Sequence, residues 1–192
     1  MRHFSNIIGI DDAPFDPTRG SEKGCLQKVT VVGAVYGGLT LHGVMLFKVA
    51  EDGDDATWTL ICGIKRSKFW EHIQLVMLQG IALAGFNVVD VPLLSTGIER
   101  PVLVIARKAP SMCAIEHALR NVRNGAKKLS LIEAMGPMEP LMGVYVQRYG
   151  LSLNEARETI RRFSINGLIP EPIRVAHLIG GAISKGISGG RA

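Results

Sequence analysis

Asp11 and Asp12 stand side by side at the end of the apolar run SNIIGID, residues 5–11. Carboxylates carried by a rigid strand into a water-limited cleft are what a hard divalent cation requires. Neighbouring side chains on an extended strand point to opposite faces, so one of the two is a direct ligand and the other caps the following loop, unless the chain bends after Asp11. The bland alternative is a pair of solvated turn aspartates. A second acidic group, Asp52, Asp54 and Asp55 in AEDGDD, can reach the end of that first strand; it equally suits a solvated turn with an N-cap, and it lacks the full calcium-loop pattern.

Three further groups have types that could act on a substrate. GIALAGFNVVD, residues 80–90, sets Asn87 and Asp90 just past a buried strand, where open α/β sheets bind ligands. Asp90 is a candidate metal ligand or the cap of the next helix, and Phe86 can simply fill core. The glycines match neither a dinucleotide nor a Walker pattern, so no nucleotide cofactor is assigned. Arg107 and Lys108 close a strand and suit phosphate oxygens, or are solvated strand-end cations. His177 lies in an apolar helical run and reads as a packing histidine rather than a ligand or base, although its charge can switch near neutral pH. G-x-S-x-G, H-E-x-x-H and a paired Cys/His motif are absent, which disfavours covalent hydrolysis.

The elements that must position these residues follow from patterning. The first strand spans residues 5–11, with a loop marked by Pro14, Pro17 and Gly20. Residues 27–36 and 39–49 form an antiparallel hairpin about Gly37-Gly38. A helix runs over 56–73 with Asp54 or Asp55 as N-cap, and a buried strand over 73–79. A short helical segment at 88–96 precedes a strand at 101–108, a helix from Pro110 and Ser111 to about Arg123, and a helical continuation or separate turn over 126–135. A late strand at 143–147 and helices at 153–163 and 169–184 complete the chain, with Pro170 and Pro172 opening the last and a mobile tail after it. The whole reads as one α/β domain, residues 1–192, with a mixed sheet, an early antiparallel hairpin, flanking helices and right-handed crossovers for later parallel strands.

Composition narrows the class of function. A chain of 192 residues with 47% hydrophobic side chains builds a core without disulfides or structural metal, and a net charge of +5 favours polyanions. Cys25, Cys62 and Cys113 are widely spaced without a C-x-x-C pair, which suits a reducing, cytoplasmic compartment and argues against a zinc site. Neither a secretion signal nor a membrane span is indicated. Arg148, Arg157, Arg161, Arg162, Arg174, Lys185 and Arg191 outnumber Glu155, Glu158 and Glu171 in the last segment, consistent with a nucleic-acid backbone surface or an ordinary exposed helix face.

IIGIDDAPF, DGDDATW, LQGIALAGFNVVDV, PVLVIARKAP and LIPEPIRVAHLI together resemble the archaeal domain-of-unknown-function family numbered ninety-nine, over nearly the whole chain. PEPIRVAH also looks like the carboxy-terminal motif of endonuclease V. The resemblance implies a ribonuclease H-like fold and cleavage of nucleic acid by water activated on Mg2+ or Mn2+. It places the first-strand aspartate of endonuclease V on Asp11 or Asp12, its next acid on Asp54 or Asp55, and its strand-end lysine near Arg107 or Lys108. The position of a further aspartate falls on Gln79, a neutral amide, and the late histidine has no counterpart in VQRYGLSL. The expected nuclease therefore has Asp11 and Asp55 as metal ligands, Asp12 or Asp90 in support, and Arg107 or Lys108 on the phosphate. A non-catalytic nucleic-acid-binding module, or a small-molecule or protein-binding scaffold, is the alternative on the same fold.

Overall fold

A computed structural model describes residues 1–17 and 27–189. Gly20 of the expected loop, Cys25 and Arg191 lie outside the described residues. The elements are β1 (Asn6–Asp12), β2 (Lys28–Gly37), β3 (Thr40–Ala50), α1 (Ala56–Arg66), β4 (Leu75–Gln79), β5 (Ala82–Leu83), β6 (Asn87–Val88), α2 (Val91–Ile98), β7 (Val102–Ala106), α3 (Met112–Leu119), α4 (Gly125–Ala134), β8 (Glu139–Leu141), β9 (Val144–Tyr149), α5 (Leu153–Phe163) and α6 (Glu171–Lys185).

One seven-stranded sheet has the order β3-β2-β1-β4-β7-β9-β8. β1, β4 and β7 are mutually parallel at its centre, and their near-continuous apolar sequences fit strands covered on both faces. α1 and α2 cover one face, where Leu60, Ile64 and Leu94 pack with Ile8, Ile10 and Leu78. α5 and α6 cover the other, where Ile160, Phe163 and Ile173 pack with Ile7, Met77 and Ile105. Alternate residues of β1 and β4 therefore face opposite helical layers, as a pleated strand dictates.

Several elements depart from the sequence expectation for local reasons. The first helix stops at Arg66, where the Ser67 hydroxyl donates to the Ile64 carbonyl. The segment after β4 is not plain loop, because β5 and β6 pair as a small antiparallel hairpin. The helix expected to reach Arg123 ends at Leu119; Asn124 then adopts φ 56°, and a Cβ on Gly125 would lie 1.9 Å from the Leu119 carbonyl oxygen. The late strand β9 runs antiparallel to β7 rather than entering by a parallel crossover. Its partner β8 has only three residues including Pro140, too short for any periodicity to show.

α6 is fastened at its start by Glu171, which accepts from Arg174 Nε and Nη2 at 2.7 and 2.8 Å and from Asn166 Nδ2 at 3.0 Å. It then runs along β1 at very close range. A Cβ on Gly9 would lie 2.2 Å from the Pro172 carbonyl carbon, and one on Gly180 would lie 3.0 Å from Ala13 Cα. α5 begins with a capping box between Ser152 and Glu155. Arg2 bonds the same Glu155 carboxylate, which holds it well below the usual carboxylate range and ties the amino terminus to this layer.

Candidate functional site

The site lies at the carboxyl ends of the three central parallel strands. Ile10 pairs with Leu78 and Gln79 with Ile105, so the register brings Asp11, Gln79 and the residues that follow β7 to one edge of the sheet. Asp11 and Gln79 continue the alternation of Ile7 and Met77 and so belong to the α6 face, whereas Asp12 continues Ile8 and Ile10 on the α1 face.

Asp11 is 4% exposed. Its Oδ2 lies 2.9 Å from His177 Nδ1, and its Oδ1 accepts from the Asp12 backbone N–H at 3.0 Å. Burial pushes the Asp11 carboxyl up, against the opposing pull of His177. The bond to Asp11 raises His177 in turn, partly offset by burial and opposed by the nearby Arg107 charge. Both shifts favour a proton held between Nδ1 and Oδ2. His177 is therefore not the isolated packing residue its apolar surroundings suggest; it is the partner of the most buried acid at the strand end.

A signal for this pairing is present in the sequence, though it is legible only once α6 is laid on β1. Pro172 meets Gly9, His177 meets Asp11 and Gly180 meets Ala13. Five helical residues advance about 7.5 Å and two strand residues about 6.6 Å, so residues 172 and 177 match residues 9 and 11.

Asp12 turns the other way. Its Oδ2 accepts from the Ala84 N–H at 3.0 Å, which ties β1 to the β5–β6 hairpin. Burial, and then the adjacent Asp11 charge, push its carboxyl up to about 6. Below about pH 3 it is protonated in both folded and unfolded chains and exacts no penalty. As pH rises through 6 the fold must ionise a group that prefers to stay neutral, so stability is lost, by about 3 kcal/mol for a carboxyl moved from 3.8 to about 6. Asp12→Asn keeps an oxygen for Ala84. In metal-free protein it is expected to raise Tm by several degrees at pH 8 and to leave it unchanged at about pH 3. Thermal denaturation at both pH values checks this, and equal melting at pH 8 refutes it.

The other anticipated acids are spent on architecture. Asp55 Oδ2 accepts from Lys28 Nζ at 2.7 Å, while its Oδ1 accepts from the Ala50 N–H and from Asn87 Nδ2. Asp52 accepts from the Phe86 N–H, and Asp54 from Asn124 Nδ2. Lys128, almost wholly buried, donates to the Asp52 carbonyl at 2.6 Å and braces the same turn. Asp90 is the N-cap of α2, accepting from the Leu93 N–H at 2.9 Å. Among the described residues no group of three or more His, Cys, Asp or Glu side chains could hold a metal ion, so Asp11, Asp55 and Asp90 are not assembled into one cage. Asn87, fully buried, also accepts from the Ala56 N–H that opens α1, so the AGFNVVD motif locks the turn to the helix start.

Oxygens of a kind that suits a hard cation stand at this strand end on two faces of the sheet: Asp12 on the α1 face, and Asp11 and Gln79 Oε1 on the α6 face. Gln79 Oε1 is buried without a hydrogen-bond partner, a state that costs about 1–3 kcal/mol unless something binds there. Arg107 and Lys108 are exposed just past β7. A cleft of about 500 Å3 opens beside Ala13, lined in part by Phe15, Lys28, Thr30, Lys48 and Lys185. Of the other expected basic residues, Arg148, Arg161 and Arg174 are engaged by Glu139, Glu158 and Glu171. Among the described residues no helix is long and apolar enough to cross a membrane.

A family model described as endonuclease dU matches residues 3–184. A UPF0215 protein of Deinococcus radiodurans is 48% identical over 190 residues, covering 98% of this chain and 93% of the relative. A solved structure of an Archaeoglobus fulgidus protein of unknown function superposes with a TM-score of 0.84 at 35% identity, covering 93% of this chain and 97% of that one. Endonuclease V of Ciona intestinalis, solved with a 24mer DNA containing an inosine followed by a ribo-adenosine, gives a TM-score of 0.52 at 14% identity over 90% of this chain and 83% of that one. At that identity the likeness speaks for the fold, which is ribonuclease H-like as the sequence motifs imply.

Proposed function

We propose, from the premise that this chain belongs to the endonuclease dU family, that it is a divalent-metal-dependent endonuclease cutting the phosphodiester backbone of DNA at deoxyuridine. The observation that carries the reading is the buried Asp11–His177 pair beside Asp12 at the open edge of the parallel strands. Two adjacent carboxylates in a poorly solvated position, both pushed toward protonation, are an electrostatic deficit that Mg2+ or Mn2+ relieves. Such a cation, when bound, polarises the phosphodiester and acidifies water.

The chain's own residues supply the rest. Asp11 would hold such a cation, with Asp12 in support from the other side of the strand, and His177 fixes the Asp11 carboxylate through Nδ1 and retains a proton there. Arg107 and Lys108 take up phosphate charge at the end of β7, Arg being able to bind two oxygens at once. Lys48 and Lys185 in the adjoining cleft favour a nucleic-acid backbone. Asp55 and Asp90 are assigned a positioning role, since their oxygens already serve Lys28, Asn87 and the α2 amide.

The test is a duplex oligonucleotide carrying one deoxyuridine, with the thymidine duplex as control. Strand scission that requires Mg2+ or Mn2+, stops with chelator and spares the control is expected. Salt-sensitive binding of the same duplex with no scission under any metal would favour the non-catalytic module and refute the enzyme.

A further inference from the structure

We infer that the two-helix segment α3–α4 is an arm that grips the phosphate backbone of a nucleic-acid duplex away from the cut, through Arg120, Arg123 and Lys127; this rests on the nucleic-acid reading above. Residues 107–128 hold Arg107, Lys108, Arg120, Arg123, Lys127 and Lys128 against the single acid Glu116. The whole chain has 22 Lys and Arg against 17 Asp and Glu, so this one stretch carries its entire net charge of +5 and the remainder is balanced. Lys128 is buried, and the other five cations are exposed. Among the described residues none of those five is in a salt bridge, whereas Arg2, Arg148, Arg161 and Arg174 all are.

The segment sits at the same edge of the sheet as the paired acids. Arg107 and Lys108 follow the end of β7, and Arg107 stands near enough to His177 to oppose the protonation that the Asp11 bond favours. The chain then folds over the β5–β6 hairpin, where Leu119 and Ile132 are buried with Val88, and Val122 and Leu129 pack against them. Asn124 Nδ2 donates to Asp54 at 2.7 Å and Lys128 Nζ to the Asp52 carbonyl at 2.6 Å, so the acidic turn before α1 anchors the arm. With its apolar side committed to the hairpin, α3–α4 leaves Arg120, Arg123 and Lys127 in solvent. Unpaired like charges gathered on an exposed surface add nothing to the fold, but they match a polyanion, whose counterions they displace. No Phe, Tyr or Trp occurs between residues 107 and 134. The surface therefore lacks both the stacking platforms that single strands use and the aromatic anchors common in protein interfaces, which leaves a duplex backbone as the partner it fits.

Backbone contacts carry no sequence information, so the thymidine duplex serves as the probe. Its binding is followed by fluorescence anisotropy over a range of salt concentrations for wild type, for Arg120→Gln/Arg123→Gln/Lys127→Gln, and for Arg66→Gln/Lys68→Gln/Arg162→Gln. The second triple variant removes the same charge from exposed cations outside the arm. The arm variant is expected to bind about tenfold more weakly, or worse, at about 0.1 M salt, with a log–log salt slope shallower by about 2.7, as for three lost phosphate contacts, and with unchanged Tm. The other variant is expected to stay within about threefold of wild type, because its cations lie off the bound backbone. Equal losses in both variants would assign the effect to net charge and overturn the arm. Wild-type affinity and slope in the arm variant would overturn it too and point the patch to an acidic protein surface; if metal-dependent scission at deoxyuridine persists in that case, the nuclease stands while the arm falls. A fall in Tm accompanying the lost affinity would assign these residues to folding instead. Absence of low-salt binding by wild type overturns the arm whether or not scission is seen.

Discussion

Asp11→Asn is expected to reduce metal-dependent cleavage by about a thousandfold and to abolish saturable Mn2+ binding, the largest functional effect of any single substitution in this chain. The change is nearly isosteric, so an acceptor for the Asp12 N–H is retained. What it removes is the negative charge at a position only 4% exposed, where water cannot stand in for it. His177 supplies an independent readout. Its protonation is favoured above all by the bond to Asp11, so in Asp11→Asn its titration, followed by NMR of the ring, is expected to move down. Unchanged cleavage in this variant would remove Asp11 from the mechanism. An unmoved His177 titration would show that the Nδ1–Oδ2 contact does not govern that proton.

Gly9→Ala is expected to produce the largest effect on architecture. The added methyl would lie 2.2 Å from the Pro172 carbonyl carbon and 2.5 Å from both the Ile173 nitrogen and the Pro172 oxygen. These are backbone atoms at the start of a helix fastened by Glu171 and Arg174, so no side chain can swing aside and α6 must move off β1. Overpacking of this kind costs about 3 kcal/mol, which for a chain of this size lowers Tm by roughly 6–12 °C. The functional loss should exceed what stability accounts for. His177 rides on α6 two strand residues farther along, and a displacement of about 1 Å at a site of this kind costs on the order of a hundredfold in rate. Gly38→Ala is the control. No atom lies within 4 Å of its Cβ position, but φ is +59°, so it should cost about 1–2 kcal/mol through backbone conformation alone and leave cleavage per folded molecule intact. If Gly9→Ala melts like wild type, the close approach of α6 to β1 is not what sets the geometry.

The parts of the fold that show in the sequence are those with a local cause. β1, β4 and β7 are apolar runs ended by polar residues, and Gly38 with positive φ opens the two-residue turn Gly38-Leu39 between β2 and β3, one residue beyond the expected Gly37-Gly38 because Gly37 still pairs with Thr40. α5 and α6 carry their own start signals in Ser152 with Glu155 and in Pro172. β8 and the break between α3 and α4 have weaker local causes. The first depends on pairing with β9 through Met142 and Gly143 at positive φ, and the second on a backbone contact between Gly125 and Leu119.

The candidate site divides along the same line. Asp11 and Asp12 could be read from the chain as the end of a buried strand, and Arg107 and Lys108 as the end of another, which in fact stops at Ala106 and leaves both just beyond it. The sequence did not decide which acids are available, because an Asp in a turn has the same local appearance whether it faces a cation, a lysine or a helix amide. Only the tertiary structure committed Asp55 to Lys28 and Asn87, and Asp90 to Leu93. It also brought His177 across 166 positions of sequence to Asp11, and set Gln79 beside it with an unsatisfied oxygen. The physical reason is that strand register and the seating of α6 on Gly9 are properties of packed surfaces, and the partner of a side chain is decided by what those surfaces bring within about 3 Å of it.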